Sequence, residues 1–409
     1  MDGNRRPFLA AAAVLGLVLR LAFALGYWVH EPLTRDEREY LSLARSLTAG
    51  RGLVYDADVL DGQGDPFGRA PGYPAFLAAV GGGRDVATEV PTSVKAAQAL
   101  VGALGVLIAA ALAGRLAGPR AARATAVIAA IYPPLVTVAA RAFSEALFWP
   151  LSVAVVWSFD RALEDGARAP WRALVCGVLA GATVLVRPAV IFFLPLALIW
   201  FVWRRRPRLA LACAIGATLA IGPWSVRNYA HYGRFVLVAS EGGVTFWTGN
   251  HPLAVGDGDL AANPSLARAK QALRAGHPGV TEEQMEPVYY REAFDWIRSH
   301  PVAWLRLEAR KLFYLVVPIG PSYTLHSTRY YAASALPYLV VLGLAIVGVR
   351  RARALRSWTP GVWLLLGAAV GVCLIFFPSE RFRMSGIDPA LVVIAGSAWA
   401  SGQRERPAA

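Results

Sequence analysis

Apolar runs of roughly twenty residues recur along the chain and are separated by short clusters of arginine. A helix needs ~20 apolar residues to cross the ~30 Å hydrocarbon core of a bilayer. On that rule the pattern predicts spans at about residues 7–28, 93–114, 120–139, 145–162, 171–186, 188–203, 208–225, 331–349, 358–377 and 386–401. The fold class is therefore predicted to be an all-α polytopic membrane protein with about ten to twelve transmembrane helices.

Two further apolar stretches, residues 71–82 and 304–318, are too short or too interrupted by charge to span a bilayer. They are predicted to be interfacial or re-entrant helices in the outer loops.

The arginines indicate how the predicted bundle is oriented. Every second loop is basic, and cytoplasmic loops carry an excess of Lys and Arg, so both termini are predicted to be cytoplasmic. This divides the chain into three segments. They are an N-terminal transmembrane module at 1–225 with a first outer loop at 29–92, an outer loop with amphipathic helices at 226–330, and C-terminal transmembrane helices at 331–409.

The composition excludes a soluble domain, because 56% of the residues are hydrophobic and only 17% are charged. The net charge of +14 could suggest nucleic acid, but the position of the arginines between apolar runs favours the membrane and no nucleic-acid partner. Each of the three cysteines lies in a separate apolar run, as expected of small buried side chains. The six histidines lack the spacing of a metal motif, so no cofactor or metal is indicated.

One charged stretch, Leu33 to Gly52, follows the first apolar run. Thr34 and Glu37 have the spacing of a capping box and predict a helix start. Apolar positions then recur at helical spacing, which predicts an amphipathic helix along the membrane surface with a polar side. Since capping occupies Glu37, Asp36 is the carboxylate left to act on a substrate. The alternative is that both acids only stabilise the positive end of the helix.

Ionisable residues at the ends of predicted spans gather on the outer side, where an unpaired charge is costly unless it has a function. Guanidinium groups bind phosphate oxygens in bidentate fashion and a carboxylate can take a proton, so this mixture suits a reaction between an anionic lipid headgroup and a polar acceptor. Singly, each residue could be an ordinary helix-start acid or an arginine that reaches the interface. The candidate acids are Asp36, Glu37 and Glu145, and the candidate bases are Arg69, Arg187, Arg227, Arg381 and Arg383.

The order of short motifs, TRDEREY, GRAPGYPAFL, FSEALFWPL, LVRP, GPWSVRNY with a later TGN, and SERFR, resembles that of the GT-C glycosyltransferases. These enzymes use polyprenyl-phosphate sugars, and the group includes protein O-mannosyltransferases, aminoarabinose transferases of lipid A and the RgtA/B/C/D-like bacterial enzymes. The resemblance covers most of the chain and is strongest from Leu33 to Val190.

The resemblance implies a GT-C-like bundle and roles for individual residues. Asp36, beside Glu37, matches the catalytic Asp of a D-E pair, Glu145 matches a second acid, and Arg69 matches a contact to the lipid phosphate. The other four arginines lie in short motifs of the same series and are further candidates for phosphate binding.

The resemblance further implies an inverting transfer from a polyprenyl-phosphate donor to a hydroxyl of a glycan, lipid or protein. The enzyme is expected in the cytoplasmic (inner) membrane with its site on the outer face. The sequence differs from the longest members in lacking a large C-terminal soluble domain, so any acceptor binding located there is expected to be absent or to have moved into the loop at 227–329. The alternatives are a transporter (flippase) of lipid-linked sugars and an O-antigen polymerase or ligase.

Overall fold

The computed structural model describes residues 5–56, 59, 68–165, 169–325, 327–354 and 360–400. Within these ranges the structure is helical and contains no strand, which confirms the all-α prediction. The α-helices are α1 (Arg5–Ala22), α2 (Arg35–Thr48), α3 (Gly72–Ala79), α4 (Thr92–Ala117), α5 (Pro119–Ile131), α6 (Pro133–Thr137), α7 (Glu145–Asp165), α8 (Pro170–Val186), α9 (Phe193–Trp203), α10 (Pro207–Tyr232), α11 (Gly242–Gly249), α12 (Pro264–Ala275), α13 (Glu282–Ser299), α14 (Pro301–Val316), α15 (Thr328–Ala354), α16 (Pro360–Ile375), α17 (Glu380–Phe382) and α18 (Asp388–Gly396).

Helices long and apolar enough to cross a membrane make this an integral membrane protein. In the described ranges five single helices meet that test, or six spans if α5 and α6 count as one broken span. The single helices are Arg6–Tyr27, Thr92–Ala117, Glu145–Glu164, Pro207–Tyr232 and Thr328–Arg353. The predicted count of ten to twelve is not confirmed, because other predicted spans contain shorter helices, such as the nine residues of α18.

A sharp break interrupts the span predicted at 120–139, where α5 and the residues from Pro133 onward meet at 59°. Pro133 and Pro134 have no N–H, so they cannot donate to the carbonyls of Ala129 and Ala130 one turn earlier. Arg20 of α1 replaces both donors, with Nη2 3.2 Å from the Ala129 oxygen and Nη1 3.4 Å from the Ala130 oxygen. This structural role explains why a fully buried arginine occurs in the last turn of the apolar helix α1.

Glycines allow α8 and α10 to pack at backbone distance. A Cβ on Gly177 would lie 2.0 Å from the carbonyl oxygen of Cys213, and one on Gly216 would lie 2.1 Å from that of Leu174. Such close approach is typical of membrane bundles. In a bilayer no hydrophobic effect drives helices together, so they associate through close packing, which small residues allow.

The segment after α10 forms a smaller core of its own from α11, α12 and α13. A Cβ on Gly249 would lie 1.7 Å from the carbonyl oxygen of Phe376, and Asn250 donates to that of Ile375 at 2.8 Å. Buried Lys311 of α14 donates to the carbonyl of Leu374, also at 2.8 Å. These contacts fasten the segment to the end of α16 and so fix the end of α11.

Helix α2 is more buried than its sequence pattern predicts. Ser42 and Arg45, expected on an exposed polar side, donate to the carboxylate of Asp56 at 3.0 and 2.8 Å, and Ser42 is 3% exposed. The predicted polar side is therefore exposed at Arg38 but covered at Ser42 and Arg45, because residues 51–56 fold back over that part of it.

Candidate active site

The start of α2 is fixed by the capping box that the sequence predicts. Glu37 N–H donates to Thr34 Oγ1 at 3.4 Å, while Thr34 N–H donates to Glu37 Oε2 at 2.9 Å. The other oxygen of Glu37 accepts from the N–H of Ala142 at 3.1 Å. Glu37 is thus buried and holds the start of α2 against the loop that leads to α7.

Asp36, Glu39 and Tyr40 lie on one side of α2 because they are spaced by three and four residues. All three contact Arg69. Its Nη2 donates to Asp36 Oδ1 at 2.7 Å, its Nε donates to Glu39 Oε2 at 2.8 Å, and its guanidinium lies 4.6 Å from the centre of the Tyr40 ring. The arginine predicted to contact a lipid phosphate is therefore already paired with two carboxylates.

Arg69 is held in place by the backbone around it. A Cβ on Gly72, at the start of α3, would lie 2.9 Å from the carbonyl oxygen of Leu185 near the end of α8. Helix α8 ends at Val186 because the residue before Pro188 is disfavoured in a helix, and Arg187 is extended with φ −156° and ψ 126°. The glycine contact brings the first loop close to Arg187.

Arg381 connects two acids that are far apart in the sequence. Its Nη1 donates to Asp36, and its Nε donates to Glu145 Oε1 at 2.6 Å. Its guanidinium also lies 4.0 Å from the centre of the Phe143 ring. Arg381 is on α17, the single turn capped by Ser379, which accepts from Phe382 N–H. A π-helical turn follows at Arg383–Ile387, a feature frequent at functional sites.

Glu145, the first residue of α7, is 1% exposed and is also bound from the other side. Arg187 Nη1 lies 3.3 Å from Glu145 Oε1 and donates to Ser144 Oγ at 3.1 Å. The hydroxyl of Tyr40 donates to the same Ser144 oxygen at 3.2 Å. Three arginines and three carboxylates therefore form one closed network, which we call the arginine–carboxylate cluster: Asp36, Glu39, Arg69, Glu145, Arg187 and Arg381.

Electrostatics favour the ionised forms of Asp36 and Arg381. Burial raises the pKa of Asp36, but Arg69 and Arg381 outweigh burial and hold that pKa well below its usual range. Burial lowers the pKa of Arg381, but Glu145 and Asp36 outweigh it and raise the pKa above its usual value. An Asp36 that stays ionised can orient a hydroxyl group, but it is a weak base.

The other two predicted arginines contact different residues. Arg383 is two residues from Arg381, and residues so spaced on a helix face different ways. Its Nε lies 3.1 Å from Asp388 Oδ1, and its guanidinium lies 3.9 Å from the centre of the Tyr338 ring. Arg227 lies on α10 with its guanidinium 4.9 Å from the centre of the Trp224 ring.

A fourth carboxylate, Glu241, approaches the cluster from the residue before α11. Its Oε1 lies 3.8 Å from Arg69 Nε. Sequence reasoning missed Glu241, because no motif marks it, and also missed Glu39. The spacing of Glu39 three residues after Asp36 on a predicted helix was a signal that could have found it.

No group of three or more His, Cys, Asp or Glu residues in the described part of the chain is arranged to hold a metal ion. Around Asp36 the cationic partners are guanidinium groups. Arginine in these positions supplies positive charge and bidentate donors for an oxyanion.

Part of the chain is similar to a known protein family. Residues 71–225 match the family model described as dolichyl-phosphate-mannose-protein mannosyltransferase. In a search of curated protein sequences, no protein matched the chain.

Among solved structures, the archaeal oligosaccharyltransferase AglB from Archaeoglobus fulgidus, in complex with an inhibitory peptide and a dolichol-phosphate, matches with a TM-score of 0.58 and 15% identity over 97% of this chain and 50% of AglB. The same enzyme tethered to an acceptor peptide matches with a TM-score of 0.61 and 13% identity over 97% of this chain and 49% of that one. The chain thus spans about half the length of the AglB structures it matches. ArnT from Cupriavidus metallidurans bound to undecaprenyl phosphate aligns over 97% of this chain and 78% of ArnT, with 16% identity and a TM-score of 0.39.

The chain is an integral membrane protein that shares the fold of AglB and contains a buried arginine–carboxylate cluster. The predicted resemblance to GT-C glycosyltransferases is confirmed by the family model and by the fold shared with AglB.

Proposed function

We propose that this protein is an inverting glycosyltransferase that moves a sugar from a polyprenyl-phosphate donor to an acceptor hydroxyl. The observation that carries the proposal is the bridge that Arg381 forms between Asp36 and Glu145. It joins the first loop, the start of α7 and the segment before α18 at one point. Such convergence of buried charges from distant segments is expected of a functional site, because buried charge is otherwise costly.

The arginines supply what a phosphate leaving group requires. During transfer the bond between the anomeric carbon and the phosphate oxygen breaks, and the lipid phosphate leaves with the electron pair and gains negative charge. Arg69, Arg187 and Arg381 would stabilise that charge as fixed donors. In the structure their positive charge is balanced by carboxylates, which keeps the guanidinium groups in place before the donor binds.

The carboxylates act on the acceptor in this proposal. Asp36, 29% exposed at its side chain, accepts a hydrogen bond from the acceptor hydroxyl and orients its oxygen toward the anomeric carbon. Glu145, only 1% exposed at its side chain, instead holds Arg381 and Arg187. Direct attack inverts the anomeric centre, and unlike a retaining enzyme it forms no covalent intermediate.

The proposed division into segments gives each a part in the site. The module at 1–225 supplies Asp36, Arg69, Glu145 and Arg187, and the segment at 331–409 supplies Arg381. The segment at 226–330 supplies Glu241 and, we propose, part of the acceptor site. AglB structures contain a dolichol-phosphate or an acceptor peptide, which supports a donor and an acceptor of these general kinds.

The test uses the full-length protein in lipid nanodiscs with a panel of polyprenyl-phosphate sugars. Release of free polyprenyl phosphate together with glycosylation of a glycan, lipid or peptide acceptor would support the proposal. Uptake of intact lipid-linked sugar into the opposite leaflet of proteoliposomes, without release of lipid phosphate, would contradict it and favour a transporter.

A further inference from the structure

Glu241 is attached to the arginine–carboxylate cluster through the backbone of the first loop. The N–H of Ser240 donates to the carbonyl oxygen of Gly68 at 3.1 Å, and the N–H of Gly68 donates to Tyr55 Oη at 3.2 Å. Glu241 therefore lies beside Arg69, the residue after Gly68, although its own segment begins beyond α10.

A glycine at position 68 makes room for this contact. A Cβ there would lie 3.1 Å from Glu241 Cγ and 3.2 Å from Glu241 Oε1, which is closer than nine in ten such contacts. A larger residue would therefore shift the Glu241 side chain by a few tenths of an ångström or more. Gly68 thus leaves space for the Glu241 carboxylate.

Glu241 differs from the other acids of the site in its partners and exposure. Asp36 and Glu145 are each bound by two arginines, whereas Glu241 has one cation at 3.8 Å. Its side chain is 40% exposed, compared with 7% for Glu39. A hydroxyl substrate can therefore reach Glu241 more easily than the buried acids.

The charges around Glu241 favour its neutral form more than those around Asp36 do. Partial burial raises the pKa of the half-buried Glu241, Arg69 opposes the shift, and the carboxylates of Glu39 and Asp36 reinforce it. The titratable and charged groups that face it are Arg69, Tyr55, Glu39, Asp36, Arg187, and, beside Gly242, Glu286 and Tyr290.

Building on the glycosyl transfer proposed above, we propose that Glu241 is a further catalytic residue, the general base that takes the proton of the acceptor hydroxyl. As the hydroxyl oxygen bonds to the anomeric carbon, its O–H bond breaks and the proton passes to Glu241. The bond from sugar to phosphate breaks in the same step, and the electron pair leaves with the lipid phosphate. Asp36 holds the hydroxyl in position and stays ionised.

The pH dependence of the reaction distinguishes Glu241 from Asp36. A general base must be unprotonated, so kcat/KM falls as the pH drops through its pKa. With Glu241 as base, this fall should come above ~4.3, the ordinary pKa of a glutamate. With Asp36 as base, the fall should come below the ordinary value for an aspartate, ~3.9.

The experiment measures single-turnover transfer and polyprenyl phosphate binding for full-length Glu241→Gln and Glu241→Asp in nanodiscs. Glu89→Gln, the same change at an exposed glutamate, is the matched control. We expect Glu241→Gln to lower the rate by about 10²-fold and to abolish the decrease of kcat/KM at low pH. Binding of lipid phosphate should be retained. Glu241→Asp should recover part of the rate, and Gly68→Ala should lower it with the carboxylate still present.

Two results would overturn the assignment while leaving glycosyl transfer intact. One is a wild-type rate and pH profile in Glu241→Gln, and the other is a loss confined to lipid phosphate binding and restored at saturating donor. If the wild-type protein released no polyprenyl phosphate from any donor, the proposed function and the role of Glu241 would both be wrong.

Discussion

The guanidinium of Arg381 donates to the carboxylate of Asp36 although 345 positions separate the two residues in the chain. The same guanidinium donates to Glu145 through Nε and Nη2. The planar guanidinium of Arg381 thus sets the distance between the first loop and the start of α7. A lysine could not do so, because its ammonium group lies on a flexible chain and lacks the fixed donor geometry of a guanidinium.

Arg381→Lys should therefore lower the rate of transfer by about 10²-fold, although the positive charge is kept. The physical reason is that one ammonium group cannot hold Asp36 and Glu145 at fixed positions relative to each other. Single-turnover rates in nanodiscs measure the effect. Arg38→Lys, the same change at an exposed position of α2, should be neutral. Equal rates in Arg381→Lys and the wild type would show that the bridge is not needed for transfer.

Asp36→Asn tests the acid that the sequence singles out. Asn keeps the size of the side chain but removes the charge that binds Arg69 and Arg381, so transfer should fall by about 10²-fold or more. Because Asn can still accept a hydrogen bond, the acid fall in kcat/KM should keep its position. Asp85→Asn, at an exposed turn, is the control and should leave the rate unchanged. A shift of the acid fall in Asp36→Asn would return the base role to Asp36.

The sequence predicts the local parts of this site well. The capping box at Thr34 and Glu37 depends only on neighbouring residues and is confirmed. The proximity of Asp36, Glu145 and three arginines agrees with the prediction that ionisable residues gather in one place. Their roles in catalysis remain predictions.

The features of the site that the sequence does not predict depend on contacts between distant segments. Residues 381 and 383 have the same side chain in one motif, and only the course of the helix places one at Asp36 and the other at Asp388. Glu241 joins the site because the N–H of the preceding Ser240 donates to the carbonyl oxygen of Gly68, a contact that no side-chain pattern encodes. The predicted number of spans is not confirmed, and hydropathy does not show that the proline pair at 133–134 breaks the helix there.

Glu37→Gln separates a structural acid from a catalytic one. The two oxygens of Glu37 accept from the backbone N–H groups of Thr34 and Ala142, and a Gln side chain has only one acceptor oxygen. One buried N–H would lose its partner, at a cost of about 1–3 kcal/mol in the free energy of unfolding. Thermal unfolding in detergent measures this loss, and turnover of the folded protein should change little. Collapse of turnover at unchanged stability would make Glu37 catalytic.

The last prediction concerns the side of the membrane on which the site lies. The alternating basic loops predict that the first loop and the 226–330 segment are outside and that the loop after α15 is cytoplasmic. Cysteines introduced at Glu31, Ala261 and Arg350 test this, because all three positions are exposed in the structure. Ala352, in the same basic last turns of α15, is only 8% exposed and would resist labelling on either side.

In intact spheroplasts a membrane-impermeant thiol reagent should label the cysteines at positions 31 and 261, and it should label the one at position 350 only after permeabilisation. The native cysteines at 176, 213 and 373 are buried, so the background should be low. Asp36 and Arg69 lie in the same outer loop as Glu31, and Glu241 lies in the same segment as Ala261, so labelling of both positions from outside places the whole cluster there. Labelling of position 350 alone in intact spheroplasts would reverse the orientation. Transfer would then have to use a donor that faces the cytoplasm.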